Sequence, residues 1–162
     1  MKLSGAINDA LNEQVHKEYT NSLFYEQIAA LFAEKGLKNL FAFFRKQASE
    51  EIGHAQKILE YISDRVGGVV SLQVVPLAPN HAQVPTMSLG MIGEAYLNAE
   101  EQTTASLESI HELICDENSG IDIPFILEML NEQVEEESKA YDFAMKAKVV
   151  TDEVLFDLTM GE

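Results

Sequence analysis

Helix-breaking residues are scarce in this chain and collect in a few places, so long stretches run without interruption. The first extends from about Ser4 to Lys35 and is closed by Gly36, a residue suited to the left-handed position after a helix end. A second runs from Leu37 to Val66 and stops at Gly67-Gly68. The segment from Val69 to Met87 carries Pro76, Pro79 and Pro85 with a β-branched pair at Val74-Val75, and it reads as an extended crossover. A third helix is expected from Ser88, acting as N-cap, to about Asp116. The turn Glu117-Asn118-Ser119-Gly120 follows, and Asp122 with Pro124 opens a fourth helix that runs to about Val149. In the tail from Thr151 to Glu162, the apolar residues Val154, Leu155, Phe156 and Leu158 predict a short fifth helix. Short link, long link, short link is the connectivity of two antiparallel helix hairpins joined by one crossover. The predicted fold is therefore all-α: a four-helix bundle over about residues 4–149, one long crossover between helices 2 and 3, and a short C-terminal segment, 150–162.

At 162 residues the chain can bury one full core and is short for two ordinary domains, so a single domain spanning residues 1–162 is expected. Lys and Arg number 11 against 27 Asp and Glu, a formal net charge of −16. Such a surface disfavours nucleic acid and anionic membrane as partners and favours cations. Apolar runs such as Leu40 to Phe44 fall far below the roughly 18 residues that suggest a membrane span. The single Cys115 allows neither an intrachain disulfide nor a multi-cysteine zinc site, and no apolar stretch follows Met1-Lys2-Leu3-Ser4-Gly5. A cytoplasmic protein is expected.

The inward face of each helix, followed at alternating steps of three and four, is apolar except near its middle. On the first helix Ile7, Leu11 and Val15 lead to Glu18, then Ser22, Tyr25, Ala29 and Phe32. On the second, Leu37, Leu40, Phe44 and Ala48 lead to Glu51 and His54, then Ile58 and Ile62. On the third, Leu89, Ile92 and Tyr96 precede Glu100, with Thr103, Leu107, Ile110 and Ile114 beyond. On the fourth, Ile126 and Met129 precede Gln133 and Glu136, with Ala140, Phe143 and Ala147 beyond. One carboxylate on such a stripe is ordinary, because its side chain can reach solvent. Four at the same depth would be costly unless something positive lies between them. Glu18, Glu51, Glu100 and Glu136 match the charge of two divalent cations, and His54 and Gln133 supply a nitrogen and an amide oxygen to complete the shell. The spacings Glu51-Ile52-Gly53-His54 and Gln133-Val134-Glu135-Glu136 each put two ligating groups on one helical face. The competing reading is a metal-free structural bundle whose acidic stripe is solvated.

At these residues the chain resembles ferritins of the non-haem bacterial or archaeal type over nearly its whole length. The strings that carry the resemblance are Leu11-Asn12-Glu13-Gln14 with Glu18-Tyr19, Ser49-Glu50-Glu51-Ile52-Gly53-His54, and Asn131-Glu132-Gln133-Val134-Glu135-Glu136-Glu137. The resemblance implies one iron site bound by Glu18, Glu51 and His54 and a second bound by Glu51, Glu100 and Glu136, with Glu51 bridging and Gln133 beside the pair. It also implies that Tyr25 is the tyrosine of the ferroxidase centre; spacing alone fits a core tyrosine with a satisfied hydroxyl equally well. A third iron site is implied at Glu50, Glu132 and Glu135, residues that otherwise read as acidic helix surface. Glu117 and Asp122, flanking the third turn, stand where the family has a channel through which iron enters. Bacterioferritin-like proteins carry a second Glu-x-x-His and a haem-ligating Met; here Glu136 and Ile52 occupy those positions, so haem is not expected. Rubrerythrin-like peroxidases need a four-cysteine iron domain, which one Cys excludes.

The expected function is iron storage: oxidation of Fe(II) to Fe(III) by O2 or H2O2 at a dinuclear ferroxidase centre, and deposition of ferric mineral in a homo-oligomeric, twenty-four-subunit shell. The tail is shorter than the fifth helix that lines the four-fold channel in typical ferritins, which leaves a second expectation open. That alternative is a di-iron protein that consumes oxygen or peroxide without storing mineral.

Overall fold

The computed structural model describes residues 1–161. Glu162, the last residue of the predicted tail, lies outside them. Helix α1 spans Gly5–Glu34, α2 Lys38–Asp64, α3 Leu89–Asp116, α4 Ile123–Val149 and α5 Glu153–Thr159, and the described residues include no strand. This is the expected all-α bundle, with the long crossover between α2 and α3 and a short fifth helix. Among the described residues no helix is long and apolar enough to cross a membrane.

The ends of the helices show why the chain breaks where it does. The Ser4 hydroxyl accepts the Ile7 amide at 3.1 Å and starts α1. Gly36, at φ 74°, turns the chain so that its amide and that of Leu37 satisfy the carbonyls of Ala33 and Phe32 at 3.1 and 2.9 Å. At the end of α2 a Cβ on Gly68 would lie 1.8 Å from the Ile62 carbonyl oxygen, so only glycine permits this exit. Ser88 opens α3 by accepting the Met91 amide at 3.2 Å, and Pro124 sits in the first turn of α4, where its missing amide costs no helical bond. Helix α5 starts on the Asp152 carboxylate and returns to the bundle through buried Phe156 and Asp157. Asp157 then accepts the Leu40 amide at 2.8 Å, serving the first turn of α2, whose own N-cap, Leu37, has no side-chain hydrogen bond.

The crossover is held by side chains one turn apart along α1. Asn8 Oδ1 accepts the Val69 amide at 2.8 Å. Asn12 donates to the Val69 carbonyl at 2.9 Å and accepts the Ser71 amide at 2.7 Å. His16 Nε2 accepts the Gln73 amide at 3.1 Å, and the Thr20 hydroxyl donates to the Pro76 carbonyl at 2.8 Å. Four residues of helix rise about 6 Å and two residues of extended chain about 6.6 Å, so these polar residues keep step with every second crossover residue for a few rungs. The helix thus satisfies backbone groups that would otherwise need a neighbouring strand.

The four inward faces are the ones read from the sequence, and they divide the core in two. One cluster is aromatic and includes Phe24, Tyr25, Phe32, Phe44, Tyr96, Phe143 and Phe156. The other is aliphatic and includes Ile7, Leu11, Ile58, Ile62, Leu107, Ile110 and Ile126. Gly93 lets α3 and α4 approach closely at the aromatic end, since a Cβ there would lie 3.0 Å from the Ala144 Cα. At the aliphatic end Asp122 is fully buried and binds Arg65 Nε at 2.7 Å, the Ser119 hydroxyl at 2.5 Å and the Tyr61 hydroxyl. The expectation that Asp122 lines a channel is thereby corrected: its carboxylate ties the end of α2 to the α3–α4 turn, and only Glu117 of that pair is exposed.

Candidate metal centre

Between the two apolar clusters lies a polar layer to which each of the four long helices contributes. Glu18 and Glu51 are buried and His54 nearly so, and these three residues each offer a ligand atom, all within 4.8 Å of one another. Among the described residues this is the one group of three or more His, Cys, Asp or Glu that meets that criterion. His54 Nδ1 lies 4.0 Å from Glu18 Oε2 and 3.6 Å from Glu51 Oε2. Those two oxygens are buried and have no hydrogen-bond partner, a costly state for a carboxylate that a cation between them would relieve. The donor set of two carboxylates and an imidazole suits a divalent transition metal.

The other half of the layer is built differently. Glu100, also buried, accepts the Tyr25 hydroxyl on Oε1 at 2.6 Å and the Gln133 amide on Oε2 at 2.8 Å. Tyr25 therefore touches the layer directly. Glu136 is half-buried and ion-paired with Lys139 at 2.9 Å. Glu50 meets Lys139 at 3.5 Å and Lys46 at 3.6 Å, and accepts the Gln47 amide at 2.7 Å. Glu132 pairs with Lys57 at 2.7 Å and faces His54 Nε2 at 3.8 Å. Glu135 is exposed, in a shallow surface depression with Glu128, Asn131 and Glu132. The structure thus joins Glu18, Glu51 and His54 in one group, links Glu100 to Tyr25 and Gln133, and engages Glu50, Glu132 and Glu136 with lysines.

Clustering carboxylates away from water makes them bind protons. Burial, then the charge of Glu51, pushes the Glu18 carboxyl well above its usual range. Burial also pushes Glu51 up to about 8, a rise moderated by the adjacent Glu18 carboxyl and reinforced by the charges of Glu100, Glu136 and Glu50. Glu100 is raised by burial too, although the Tyr25 and Gln133 hydrogen bonds favour its ionised form. Burial and the Glu100 charge hold Tyr25 in its phenol form, able to donate.

The supporting roles of four residues escaped the sequence reading. Gln14 donates to Glu18 Oε1 at 2.8 Å and in turn accepts the Ser106 hydroxyl at 2.6 Å. The Tyr96 hydroxyl donates to Gln47 Oε1 at 2.8 Å, and Lys139 reaches the same oxygen at 3.4 Å. A signal existed for three of them: Gln14, Gln47 and Tyr96 each precede a layer carboxylate by one helical turn. Lys139 follows Glu136 by one turn, but its direction across to α2 is a tertiary fact.

Residues 8–149 match the ferritin-like domain family. The chain is 33% identical over 147 residues to the chloroplastic ferritin-1 of Brassica napus, covering 87% of this chain and 57% of that protein, so it spans little more than half the length of that relative. It is 32% identical over 139 residues to the bacterial non-heme ferritin of Staphylococcus aureus, covering 84% and 79% of the two chains. The open-pore ferritin of the archaeon Archaeoglobus fulgidus superposes with a TM-score of 0.89 at 27% identity, over 98% of each chain. With its crossover bundle, its buried carboxylate–histidine layer and these matches, the chain belongs to the ferritin family.

Proposed function

We propose that this ferritin-family chain binds two Fe(II) ions as substrate in the polar layer, oxidises them to Fe(III) with O2 or H2O2, and stores the product as ferric mineral. The observation that carries the reading is the pair of buried, unpartnered carboxylate oxygens on Glu18 and Glu51 beside His54 Nδ1. In this assignment Glu18, Glu51 and His54 hold one iron, and Glu51 bridges to a second held by Glu100 and Glu136, with Gln133 alongside. Anionic oxygen ligands stabilise Fe(III) over Fe(II), which favours oxidation. Two irons supply the two electrons that, with two protons, convert O2 to H2O2. Tyr25 positions Glu100 through its 2.6 Å hydrogen bond, and Gln133 holds the other oxygen of the same carboxylate. A third iron near Glu50, Glu132 and Glu135 would have to displace Lys139 and Lys57.

Storage requires an enclosed acidic space, and the net charge of −16 together with the likeness to an open-pore ferritin supports assembly into a homo-oligomeric shell of the twenty-four-subunit kind. A cytoplasmic setting fits a chain with one cysteine. The test is aerobic addition of excess Fe(II) to the purified protein, with iron per chain measured in the eluted particle and the oxidation rate followed in parallel. Many irons per chain in a very large particle are expected, and Glu51→Ala should abolish the rapid oxidation. About two irons per chain would support the dinuclear assignment and overturn storage; none would overturn both.

A further inference from the structure

The centre carries a cation of its own, and that cation is tethered. Lys139 extends from α4 with its Nζ 2.9 Å from Glu136 Oε2, 3.5 Å from Glu50 Oε2 and 3.4 Å from Gln47 Oε1. An ammonium has three protons to donate, and these three oxygens can accept all of them. The acceptors are themselves fixed: the Tyr96 hydroxyl holds Gln47 at 2.8 Å, and Gln47 holds Glu50 at 2.7 Å. Partial burial works against the Lys139 charge, but Glu136 and Glu50 outweigh it and keep the ammonium protonated above the ordinary lysine range.

The two halves of the layer are therefore unequal before any metal arrives. On the His54 side, Glu18 and Glu51 each present a buried oxygen with no partner. On the Glu136 side, the outer carboxylate is already neutralised by a charge that cannot diffuse away. We propose that Lys139 is a built-in competitor for the second metal, so that a divalent cation must displace its ammonium from Glu136 and the two positions fill in a fixed order, the His54 side first. The displaced ammonium stays within reach of Glu50 and Gln47 and re-forms its bond when the second metal leaves, which makes that position the weaker and the first to empty. This inference rests on the metal-pair assignment above.

The test is calorimetric titration of the full-length, metal-free protein with Co(II), a probe that needs no oxidation and whose visible spectrum reports each environment separately. Wild type is expected to bind two Co(II) per chain in separable steps. Lys139→Met should tighten the second step about fivefold, the upper end of what a partly exposed charge pair contributes, and leave the first nearly unchanged. Lys139→Arg, which keeps the charge, should retain the wild-type separation. Lys57→Met removes an equal charge from the opposite flank, where Lys57 binds Glu128 and Glu132. If it tightens the second step as much as Lys139→Met does, general electrostatics is the cause and the proposal is overturned. Two equal steps in wild type that do not change in Lys139→Met would overturn the competitor role and leave the metal pair standing. No Co(II) binding at all would overturn both.

Discussion

Loading the polar layer with a divalent cation should expel protons, and the number can be worked from the carboxylates already described. An ordinary glutamate, at 4.5, is about 0.3% protonated at pH 7 and has almost nothing to release. Glu51, at about 8, would be roughly 90% protonated at that pH, and Glu18, also raised well above its usual range, adds to the count. Metal ligation needs both ionised. At least about one proton per chain should therefore leave when Co(II) fills the Glu18–Glu51–His54 group at pH 7, and the Glu51 contribution should halve by pH 8. The assay is calorimetry at fixed pH in several non-coordinating buffers of different ionisation enthalpy, where the slope of observed heat against that enthalpy is the proton count. Apparent affinity should rise up to about tenfold per pH unit for each proton displaced, between pH 6 and 8. The same shift fixes the sign for the metal-free fold. Because the folded form holds a proton that the unfolded chain gives up near 4.5, stability from this group is complete below that pH and is lost as pH rises toward 8. A proton count near zero at pH 7, with affinity flat across the range, would refute the reasoning and return these carboxylates to a solvated state.

Two further expectations concern stability and can be read by thermal or denaturant unfolding of the metal-free protein. Gly53 lies inside α2 between Glu51 and His54, is exposed, and has open space where a Cβ would point, so Gly53→Ala should stabilise the chain by up to about 1 kcal/mol; a loss of stability would show that this position packs against something. Asp122→Ala leaves Arg65 and the Tyr61 and Ser119 hydroxyls without their shared buried acceptor and should cost about 3 kcal/mol, whereas a cost below about 1 kcal/mol would mean that water replaces the carboxylate.

The helices and their inward faces were legible because both follow from local rules. Caps such as Ser4 and Ser88 and breakers such as Gly36 act within a few residues, and a stripe of Ile, Leu and Phe at helical period has few ways to face other than inward. Glu18, Glu51, Glu100 and Glu136 stood out for the opposite reason, since each interrupts that stripe at a position where burial is expensive. What the sequence hid depends on the rotation of one helix against another. Lys139 resembles any solvated residue of α4 until Glu50 and Gln47 of α2 are seen opposite it. Asp122 opens a helix, as its position suggested, but its carboxylate caps nothing and goes to Arg65, fifty-seven residues away in sequence. Pairings over such distances leave no periodic trace along the chain.

From Val69 to Pro76 the polar ladder along α1 grips the crossover by its amides and carbonyls, whereas its later part is anchored by its own side chains, with Val84 and Met87 buried in the aromatic cluster. In that first part the course is dictated from outside, by Asn8, Asn12, His16 and Thr20, rather than by burial of its own side chains. Val70, Leu72 and Val74 accordingly face away from the bundle, Val74 with 94% of its surface open. The fold of the single chain therefore does not depend on Val70, Leu72 and Val74, and these apolar side chains are left to face whatever lies outside it while the carboxylate layer within keeps the same frame.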